Sequence, residues 1–398
     1  MASIVPAKKL SSKEKLKMLD AVAAKTNKQY GKVIMGRIGK NPEIEDKLRI
    51  KFIKTPSSRL NRDLGGGIPR ARCTIVTGDP DSGKTSLLLE TIAENQKADP
   101  EFVAGWLESE HSLELDYLEK THGIDPNRFF LIPLDIEVGT EKTLDIVEGL
   151  IATGAVDMFC INSLRCLVPD KERGKKMDET TVAEQARMNA KMMRKWTGLI
   201  AQYETAFCVV QHETTNIGGY GSPKVLAGGE AYKYWASVIL RLSKHSLQAG
   251  DPLGKDEGLK IGYIVKKNHC TPGAKNQYCK GEYFVRFGEG TDEVAPAIDA
   301  AIEAGILERH GAWLWWMTPG EDEPRQKFKS KADFISTMKA DEELWKEFYA
   351  LIQGDQEGLS AEEIEAIEAE EMKLQAKAEA TNALIDEIEN QEAVKKGA

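Results

Sequence analysis

The sequence predicts an α/β protein in which a mostly parallel, twisted sheet carries helices on both faces. Three observations lead to that fold class. From about Thr55, short apolar segments of strand length alternate with helical stretches. A glycine-rich phosphate-loop motif at residues 78–85 directly follows one of those apolar segments and opens a helical stretch. The chain has 398 residues, 41% of them hydrophobic and 29% charged, which is enough for two or three domains with substantial cores.

The first predicted element is a helix over residues 11–30, capped by Ser11 or Ser12 and ended by Gly31. Four apolar side chains share one face of this helix at i, i+3, i+4 spacing: Leu16, Leu19, Val22 and Ala23. The segment that follows has no core of its own. The apolar face must therefore pack either on the protein's own core or on a neighbouring subunit.

The main domain follows, with its strands and helices in alternation. Its predicted strands are 73–77, 103–107, 128–133, 158–162, 207–211, 238–242, 262–266 and 282–287. Its predicted helices are 85–96, 141–153 and 181–203. A smaller α/β domain is predicted from helices at 296–304 and 331–352 and a strand at 313–316. We expect an oligomerisation segment at 1–54, the main domain at 55–290, a C-terminal domain at 291–354 and an acidic tail at 355–398.

The net charge of −9 comes from the tail, where 13 acidic and 4 basic residues follow residue 354. The first 72 residues have the opposite balance, with 18 basic and 6 acidic residues. A basic start and an acidic end suggest a nucleic-acid partner with a built-in competitor, although a merely solubilising tail is an equal alternative. The tail itself could be a solvated helix or disordered.

Composition also excludes several classes of protein. The longest apolar runs, 159–161 and 207–210, are far shorter than the ~20 residues that a bilayer span needs. The beginning of the sequence has no apolar signal-peptide region, and the six cysteines show no paired spacing. These features predict a reduced, cytoplasmic protein without a structural zinc and without a membrane partner.

Residues 78–85, Gly78-Asp79-Pro80-Asp81-Ser82-Gly83-Lys84-Thr85, fit the pattern GxxxxGK[ST]. In this motif glycines let successive backbone N–H groups face a phosphate, and the following helix adds its positive N-terminal end. Lys84 is expected to reach the β and γ phosphates, and Thr85 to offer its hydroxyl to Mg²⁺. The motif predicts ATP and Mg²⁺ as cofactors.

A phosphate-loop ATPase also needs a carboxylate that activates water near the γ phosphate. Glu108 and Glu110 follow the second predicted strand, and their i, i+2 spacing points both side chains the same way. Spacing alone does not separate them, and both could be surface acids on a loop.

A second acid is expected at the end of strand 158–162, but that strand ends in Asn162. The amide keeps an acceptor oxygen and lacks the charge, so it could still hold a metal-bound water, or Glu108 could supply the charge instead. If Asn162 simply stands in for an acid, Asn162→Asp should raise magnesium affinity. If its NH₂ group donates to a neighbouring acceptor, the same change should lower both activity and stability.

Taken together, these segments resemble the bacterial RecA recombinases and their phage-encoded relatives of the UvsX type. The resemblance runs from about Lys13 to Ile352 and includes the phosphate loop, Glu110-His111 and Lys267-Asn268. Further matching segments are 28–39, 60–69, 154–157, 186–188, 193–195, 228–229, 236–238 and 288–290. It implies a RecA-type ATPase core with an N-terminal polymerisation helix and a small α/β C-terminal domain.

The resemblance also implies roles for single residues. It selects Glu110 as the general base, with Lys84 and the γ-phosphate sensor His212 as its catalytic partners. On the nucleotide it implies contacts from Ser86 directly after the motif, from an acid and an aromatic near the base, and from a lysine that reaches the neighbouring subunit's ATP: Glu114, Tyr117 and Lys267.

DNA contacts are implied at two loops and one helix. The first loop, 170–180, and the helix after it would contribute Arg173, Lys175, Lys176, Arg187 and Arg194. On composition alone such a basic run is more often a solvated face than a DNA contact. The second loop, 213–227, would contribute Ile217 and Tyr220, with Gly228 and Gly229 at its end; a long loop of this kind is usually functional or disordered.

The function implied is ATP-dependent strand exchange by a helical filament on single-stranded DNA, acting on homologous duplex DNA. A loader and a single-strand-binding protein are candidate partners. Asn162 departs from the family's acid, Thr214 from an arginine and His269 from a second lysine, so the rate of hydrolysis is the property most affected. The alternatives are a filamentous DNA-binding or mediator protein with weak hydrolysis, and a hexameric helicase motor.

Overall fold

The computed structural model describes residues 10–176, 184–215, 224–226, 234–248, 251–254, 256–271, 276–317 and 323–357. The chain folds as two compact units that divide between Asp292 and Glu293. This division lies just after residue 290, where the sequence suggested that the main domain ends. In the part of the chain that is described, every helix is too short or too polar to cross a membrane.

The helices and strands below are numbered in chain order. The α-helices are α1 (Ser12–Tyr30), α2 (Pro42–Leu48), α3 (Ser58–Leu64), α4 (Lys84–Ala98), α5 (Thr140–Ala152), α6 (Asp170–Arg173), α7 (Glu184–Tyr203), α8 (Val294–Glu303), α9 (Lys331–Ala340) and α10 (Glu342–Glu357). The strands of the first unit are β1 (Phe52–Ile53), β2 (Ile68–Pro69), β3 (Cys73–Gly78), β4 (Ala104–Glu108), β5 (Phe129–Pro133), β6 (Met158–Asn162), β7 (Ala206–Thr215), β8 (Lys224–Leu226), β9 (Val238–His245), β10 (Gly258–Asn268), β11 (Lys280–Arg286) and β12 (Gly290–Asp292). Those of the second unit are β13 (Leu307–His310), β14 (Trp313–Met317) and β15 (Pro324–Phe328).

A ten-stranded sheet organises the first unit. Its strands β5, β4, β6, β7, β3 and β9 lie side by side and run parallel, while β10, β11 and β12 continue the sheet in antiparallel pairing. Strand β8 pairs antiparallel with the end of β7. The mostly parallel sheet predicted from the sequence is confirmed.

Helices cover both faces of this sheet because the parallel strands are apolar on both sides. Successive side chains of β6 alternate between two cores: Cys160 packs with α4 on one face, and Phe159 packs with α5 and α7 on the other. Trp106 and Trp196 are the largest buried side chains of the two cores. The two layers of helices bury the parallel strands from both sides, and the candidate site is built on the ends of those strands.

Helix α1 is capped by Ser11, one of the two predicted caps, because Ser11 and Glu14 form a reciprocal capping box. It ends at Gly31, which takes the left-handed conformation with φ of 66°. None of its residues is buried against the described chain, and Leu19 and Val22 are 58% and 54% exposed. The sequence left open whether this apolar face packs on the protein's own core or on a neighbouring subunit. In the described residues it does not pack on the protein's own core.

The second unit packs a three-stranded antiparallel sheet, β13 to β15, with α8, α9 and α10 around four aromatic side chains: Trp316, Phe328, Phe334 and Phe348. The single helix predicted over 331–352 is wrong, because the chain breaks at Asp341. The Asp341 carboxylate accepts a hydrogen bond from the Leu344 N–H at 2.9 Å and so caps a new helix. The start predicted for α7, at residue 181, lies outside the described residues.

Candidate nucleotide-binding site

The phosphate loop connects the central strand β3 to α4, as the motif predicts. Gly78 has a φ of 151°, and a Cβ atom there would lie 2.2 Å from the carbonyl oxygen of Leu242. Asp81 and Gly83 also have positive φ, at 56° and 79°. This alternation turns backbone N–H groups toward the concave side of the loop, where an anion can be bound.

Lys84 is buried at the base of this loop. Its Nζ donates to the Asp79 carbonyl oxygen at 2.7 Å and to the Ser82 Oγ at 3.5 Å. Burial lowers the pKa of Lys84, against the opposing effect of Glu110, Asp79 and Asp81. A partly desolvated cation of this kind gains strongly from an anionic ligand.

The carboxyl ends of the parallel strands meet at the same edge of the sheet as the phosphate loop. The strand register pairs Glu108 of β4 with Asn162 of β6, and Gly78 of β3 with His212 of β7. Open α/β sheets bind ligands at this edge. Three residues that are far apart in the sequence are thereby brought to the loop.

Glu110 and His212 form a direct hydrogen bond at this edge. The His212 Nε2 lies 2.8 Å from the Glu110 Oε1, and the Ser163 Oγ donates to the same oxygen at 2.5 Å. Burial opposes ionisation of Glu110, but the hydrogen bonds from Ser163 and His212 and the charges of His212 and Lys84 outweigh it, so its pKa is lowered. Glu110 is therefore a carboxylate at neutral pH, and 24% of its side chain is still exposed.

Glu108 has a different environment from Glu110, although the two are separated by one residue. Its side chain is only 3% exposed, and it accepts hydrogen bonds on both oxygens. The indole of Trp106 donates to Oε2 at 2.8 Å, and the Glu110 N–H donates to Oε1 at 3.0 Å. The structure thus separates the two carboxylates that spacing left equivalent.

Asn162 lies fully buried between Thr85 and Glu108. Its Oδ1 accepts from the Thr85 Oγ1 at 3.4 Å, and its Nδ2 donates to the Glu108 Oε2 at 3.0 Å. This is the arrangement of the second alternative, in which the amide NH₂ has an acceptor partner. The Thr85 hydroxyl and the Asn162 carbonyl are hard oxygen donors and fit Mg²⁺, which needs few protein ligands because it keeps several waters.

Tyr117 lies beside the first turn of α4, with its hydroxyl 3.4 Å from the Ser86 Oγ. Its ring packs edge-on against His122, with ring centroids 4.5 Å apart. Glu114 is exposed, one turn before Tyr117. A cavity opens next to Ser86 and the loop, and it is lined mainly by apolar side chains of α4, β10 and β11: Leu87, Leu259, Ile261, Tyr283 and Val285.

Lys267 does not lie at this chain's own phosphate loop. It pairs with Ile239 near the start of β9, whereas Gly78 is level with Leu242 and Tyr263. Four residues of strand separate Tyr263 from Lys267, which is about 13 Å. Burial lowers the pKa of Lys267, and His269, two residues further on, is exposed.

The basic residues predicted to contact DNA fall into two groups. Arg173 is held within its own loop, donating to the Ile136 carbonyl oxygen at 2.8 Å and to the Thr140 Oγ1 at 3.0 Å. The others are exposed: Lys175, Lys176, Arg187 and Arg194. Sequence reasoning missed Lys191, which is exposed one turn after Arg187; its i+4 spacing is the signal that could have found it. Outside the described residues lie the four residues predicted at the second loop: Ile217, Tyr220, Gly228 and Gly229.

Sequence reasoning also missed Arg241 on β9. Its Nε donates to both oxygens of Glu213 at 2.9 and 3.0 Å, and its Nη2 is 3.7 Å from the Asp79 carboxylate. It therefore connects the end of β7 to the phosphate loop. The signal was a lone charged residue within the apolar strand 238–242.

A phosphate loop, a carboxylate and a polar strand edge on a mostly parallel sheet define the class of P-loop α/β proteins. Comparison with known proteins is more specific: the family model for the RecA N-terminal domain matches residues 17–290. The chain is 32% identical over 352 residues to the protein RecA of Chloroherpeton thalassium, covering 88% of this chain and 92% of that protein. It is 34% identical to that of Chlorobaculum tepidum, covering 79% and 87%, and 30% identical to that of Thermus aquaticus, covering 86% and 98%.

The chain belongs to the RecA family of recombinases. The family assignment predicted from the sequence is confirmed. The resemblance to UvsX-type phage proteins stays a prediction.

Proposed function

We propose that this recombinase binds ATP with Mg²⁺ at residues 78–86, hydrolyses it to ADP and phosphate in a DNA-dependent way, and exchanges DNA strands as a helical filament. The observation that carries the proposal is the hydrogen bond between Glu110 and His212 beside the phosphate loop. It joins the carboxylate that would activate water to the strand that leads into residues 213–227. Nucleotide state and DNA grip would be coupled through that strand.

The positions of described residues support the proposed contacts with the nucleotide. Backbone N–H groups of the loop and the Lys84 ammonium would bind the phosphates, displacing Lys84 from the Asp79 carbonyl oxygen. The apolar cavity beside Ser86 suits the base. Tyr117, whose hydroxyl lies 3.4 Å from the Ser86 Oγ, is proposed to stack its ring on that base. Glu114 is close enough in sequence to Tyr117 to face the same base.

Thr85 and Asn162 would hold the Mg²⁺ through their side-chain oxygens. When bound, the cation neutralises phosphate charge during hydrolysis. Glu110 is held as a carboxylate by Ser163 and His212 and would accept the proton of the attacking water.

DNA binding is proposed for the exposed basic face of α7. Arg187, Lys191 and Arg194 recur at i, i+4 and i+7 and so lie on one side of that helix. Lys175 and Lys176 extend the charge toward the first loop. Arg173 would act indirectly, by fixing that loop to the 136–140 turn. Residues 217, 220, 228 and 229 are proposed as the second DNA contact on the family resemblance alone.

Two features of the described residues support a homo-oligomeric filament. The apolar face of α1 is exposed, and Lys267 lies at the end of β10 that is remote from this chain's own phosphate loop. A neighbouring subunit would cover the first and receive the second at its ATP. Homologous duplex DNA is the proposed second substrate; a loader and a single-strand-binding protein are further proposed partners, and the cytoplasm the proposed location.

Electron microscopy with single-stranded DNA and a non-hydrolysable ATP analogue tests the proposal. We expect helical filaments that require the analogue, and ATP hydrolysis that single-stranded DNA stimulates. Filaments that bind the analogue but show hardly any hydrolysis, with or without single-stranded DNA, would instead support the ATP-binding filamentous mediator. Closed six-membered rings would support the helicase alternative.

A further inference from the structure

The pairing of Glu108 with Asn162 is not explained by the roles assigned so far. The two residues are directly opposite on neighbouring parallel strands and are 3% and 0% exposed. Five donors surround the carboxylate of Glu108: the Trp106 indole at 2.8 Å, the Asn162 amide at 3.0 Å, the Glu110 N–H at 3.0 Å, and the N–H and hydroxyl of Ser112 at 3.4 Å. All five donors are neutral. Neutral donors satisfy a buried carboxylate without a compensating positive charge, so its burial still costs stability.

The carboxylate decides which way the amide of Asn162 faces. The Glu108 Oε2 accepts hydrogen bonds from the Trp106 indole and from the Asn162 amide, so the amide atom next to it is the donor Nδ2. The Oδ1 atom then points to the other side, where the Thr85 hydroxyl lies. Without Glu108, either end of the amide could face Thr85.

We propose that Glu108 is a positioning residue of the nucleotide site: it orients the Asn162 oxygen toward Thr85 and carries, on the adjacent strand, the negative charge that position 162 lacks. The inference rests on the proposed binding of Mg²⁺ and ATP at Thr85. Glu108 does not touch the nucleotide itself, because both of its oxygens are buried and occupied. This distinguishes it from Glu110, whose side chain is 24% exposed.

One consequence is that a carboxylate fits at only one of the two positions. Asn162→Asp would bring two carboxylates together at about 3.0 Å with no donor between them. Glu108→Gln would turn an NH₂ group toward the Asn162 NH₂ or deprive the other donors of acceptors. The double variant Glu108→Gln/Asn162→Asp restores one donor and one acceptor, with the direction of the hydrogen bond reversed. Restoration would be partial, because the Trp106 indole loses its acceptor.

A double-mutant cycle with these three variants tests the proposal. The measurements are thermal melting without nucleotide or metal, and the affinity of a fluorescent non-hydrolysable ATP analogue as a function of Mg²⁺ concentration. We expect each single variant to weaken analogue binding about tenfold or more, and the double variant to bind about tenfold more tightly than two independent effects allow. The double variant should also need less Mg²⁺ than the unmodified protein, because a carboxylate then faces Thr85. A purely structural hydrogen bond would restore melting without changing that Mg²⁺ requirement.

Asn162→Ala is the control, since it removes the amide and adds no charge. The proposal expects Asn162→Asp to bind the analogue less well than Asn162→Ala. Independent effects in the cycle, or an Asn162→Asp protein that is as stable as the unmodified one and binds Mg²⁺ more tightly, would overturn it. Lys84→Ala separates this failure from that of the proposed function. If Lys84→Ala keeps full affinity, the nucleotide site is wrong; if it loses affinity while the cycle shows no coupling, only the role of Glu108 is wrong.

Discussion

The carboxyl edge of the central sheet and the N-terminal helix α1 differ in opposite ways from the usual pattern, in which apolar side chains are buried and polar side chains are exposed. At the sheet edge, the polar side chains of Lys84, Glu108 and Asn162 are buried. On α1, Leu19 and Val22 are exposed. Exposed apolar and buried polar groups are the informative exceptions in a protein. The first region suits a small charged ligand and the second suits a protein surface, so each should respond to a different kind of substitution.

Lys84→Ala should have the largest effect, and only on the first region. It removes the charge-assisted contact to the phosphates, so ATP-analogue affinity should fall at least about a hundredfold and nucleotide-dependent DNA binding should disappear. Filter binding with single-stranded DNA and the analogue measures both. Lys97→Ala, at the exposed far end of the same helix, is the matched control and should bind normally. Unchanged binding in Lys84→Ala would refute the nucleotide site.

Glu110→Gln should separate chemistry from binding within the first region. The amide keeps the shape and one acceptor but cannot take a proton, so turnover should fall roughly a hundredfold while analogue binding and filaments persist. Steady-state ATPase assays with single-stranded DNA give kcat, and the fluorescent analogue gives affinity. If Glu108→Gln showed this profile instead, the assignment of the two carboxylates would be reversed.

Leu19→Glu should damage only the second region. Placing a charge on the apolar face of α1 removes burial worth about 1.5–3 kcal/mol at each subunit contact, so assembly without DNA should weaken about tenfold or more. Light scattering or sedimentation measures the assembly. The melting temperature should stay nearly unchanged, because Leu19 is 58% exposed and belongs to none of the described hydrophobic cores. Lys17→Glu, on the same helix, controls for charge; equal loss in both variants would argue against an apolar interface.

Asn27→Ala should have the smallest effect and would refine the description of the second region. The Asn27 Oδ1 accepts from the N–H of Ile34 at 2.9 Å and of Met35 at 3.2 Å, and its Nδ2 donates to the Met35 carbonyl at 2.8 Å. These bonds fix the segment after α1 against the helix. Loss of these hydrogen bonds should destabilise the packing of that segment on the helix by about 1 kcal/mol. Assembly should then weaken about fivefold in the same scattering assay. A loss as large as that of Leu19→Glu would mean that the segment, and not the helix face, makes the contact.

Long, periodic elements were predictable from the sequence, and short ones were not. Strand β6 has the bounds that its apolar run predicts, and α1 begins one residue inside its predicted start. The two-residue strands β1 and β2 have no period to detect, and their pairing depends on distant chain. The break at Asp341 was missed because apolar spacing continues from Phe334 through Phe348 across it.

The residue types that form the site could be predicted from the sequence, but the orientations of their side chains and hydrogen bonds could not. The motif at 78–85 specifies the loop, because its glycines are required by its backbone geometry. Sequence spacing could not separate Glu108 from Glu110, since their difference arises from Trp106, Ser163 and His212 around them. The amide of Asn162 has a direction only because a strand distant in sequence sets Glu108 beside it.

The pairing of Glu108 and Asn162 also limits how this sequence can evolve. The substitutions Glu to Gln and Asn to Asp each need a single nucleotide change, so both arise readily by mutation. With Glu108 in its positioning role, either substitution alone leaves two like groups facing each other. Only both substitutions together move the carboxylate from one strand to the other. A lineage that carries this arrangement must pass through an impaired protein to leave it, and selection will tend to keep the amide where it is.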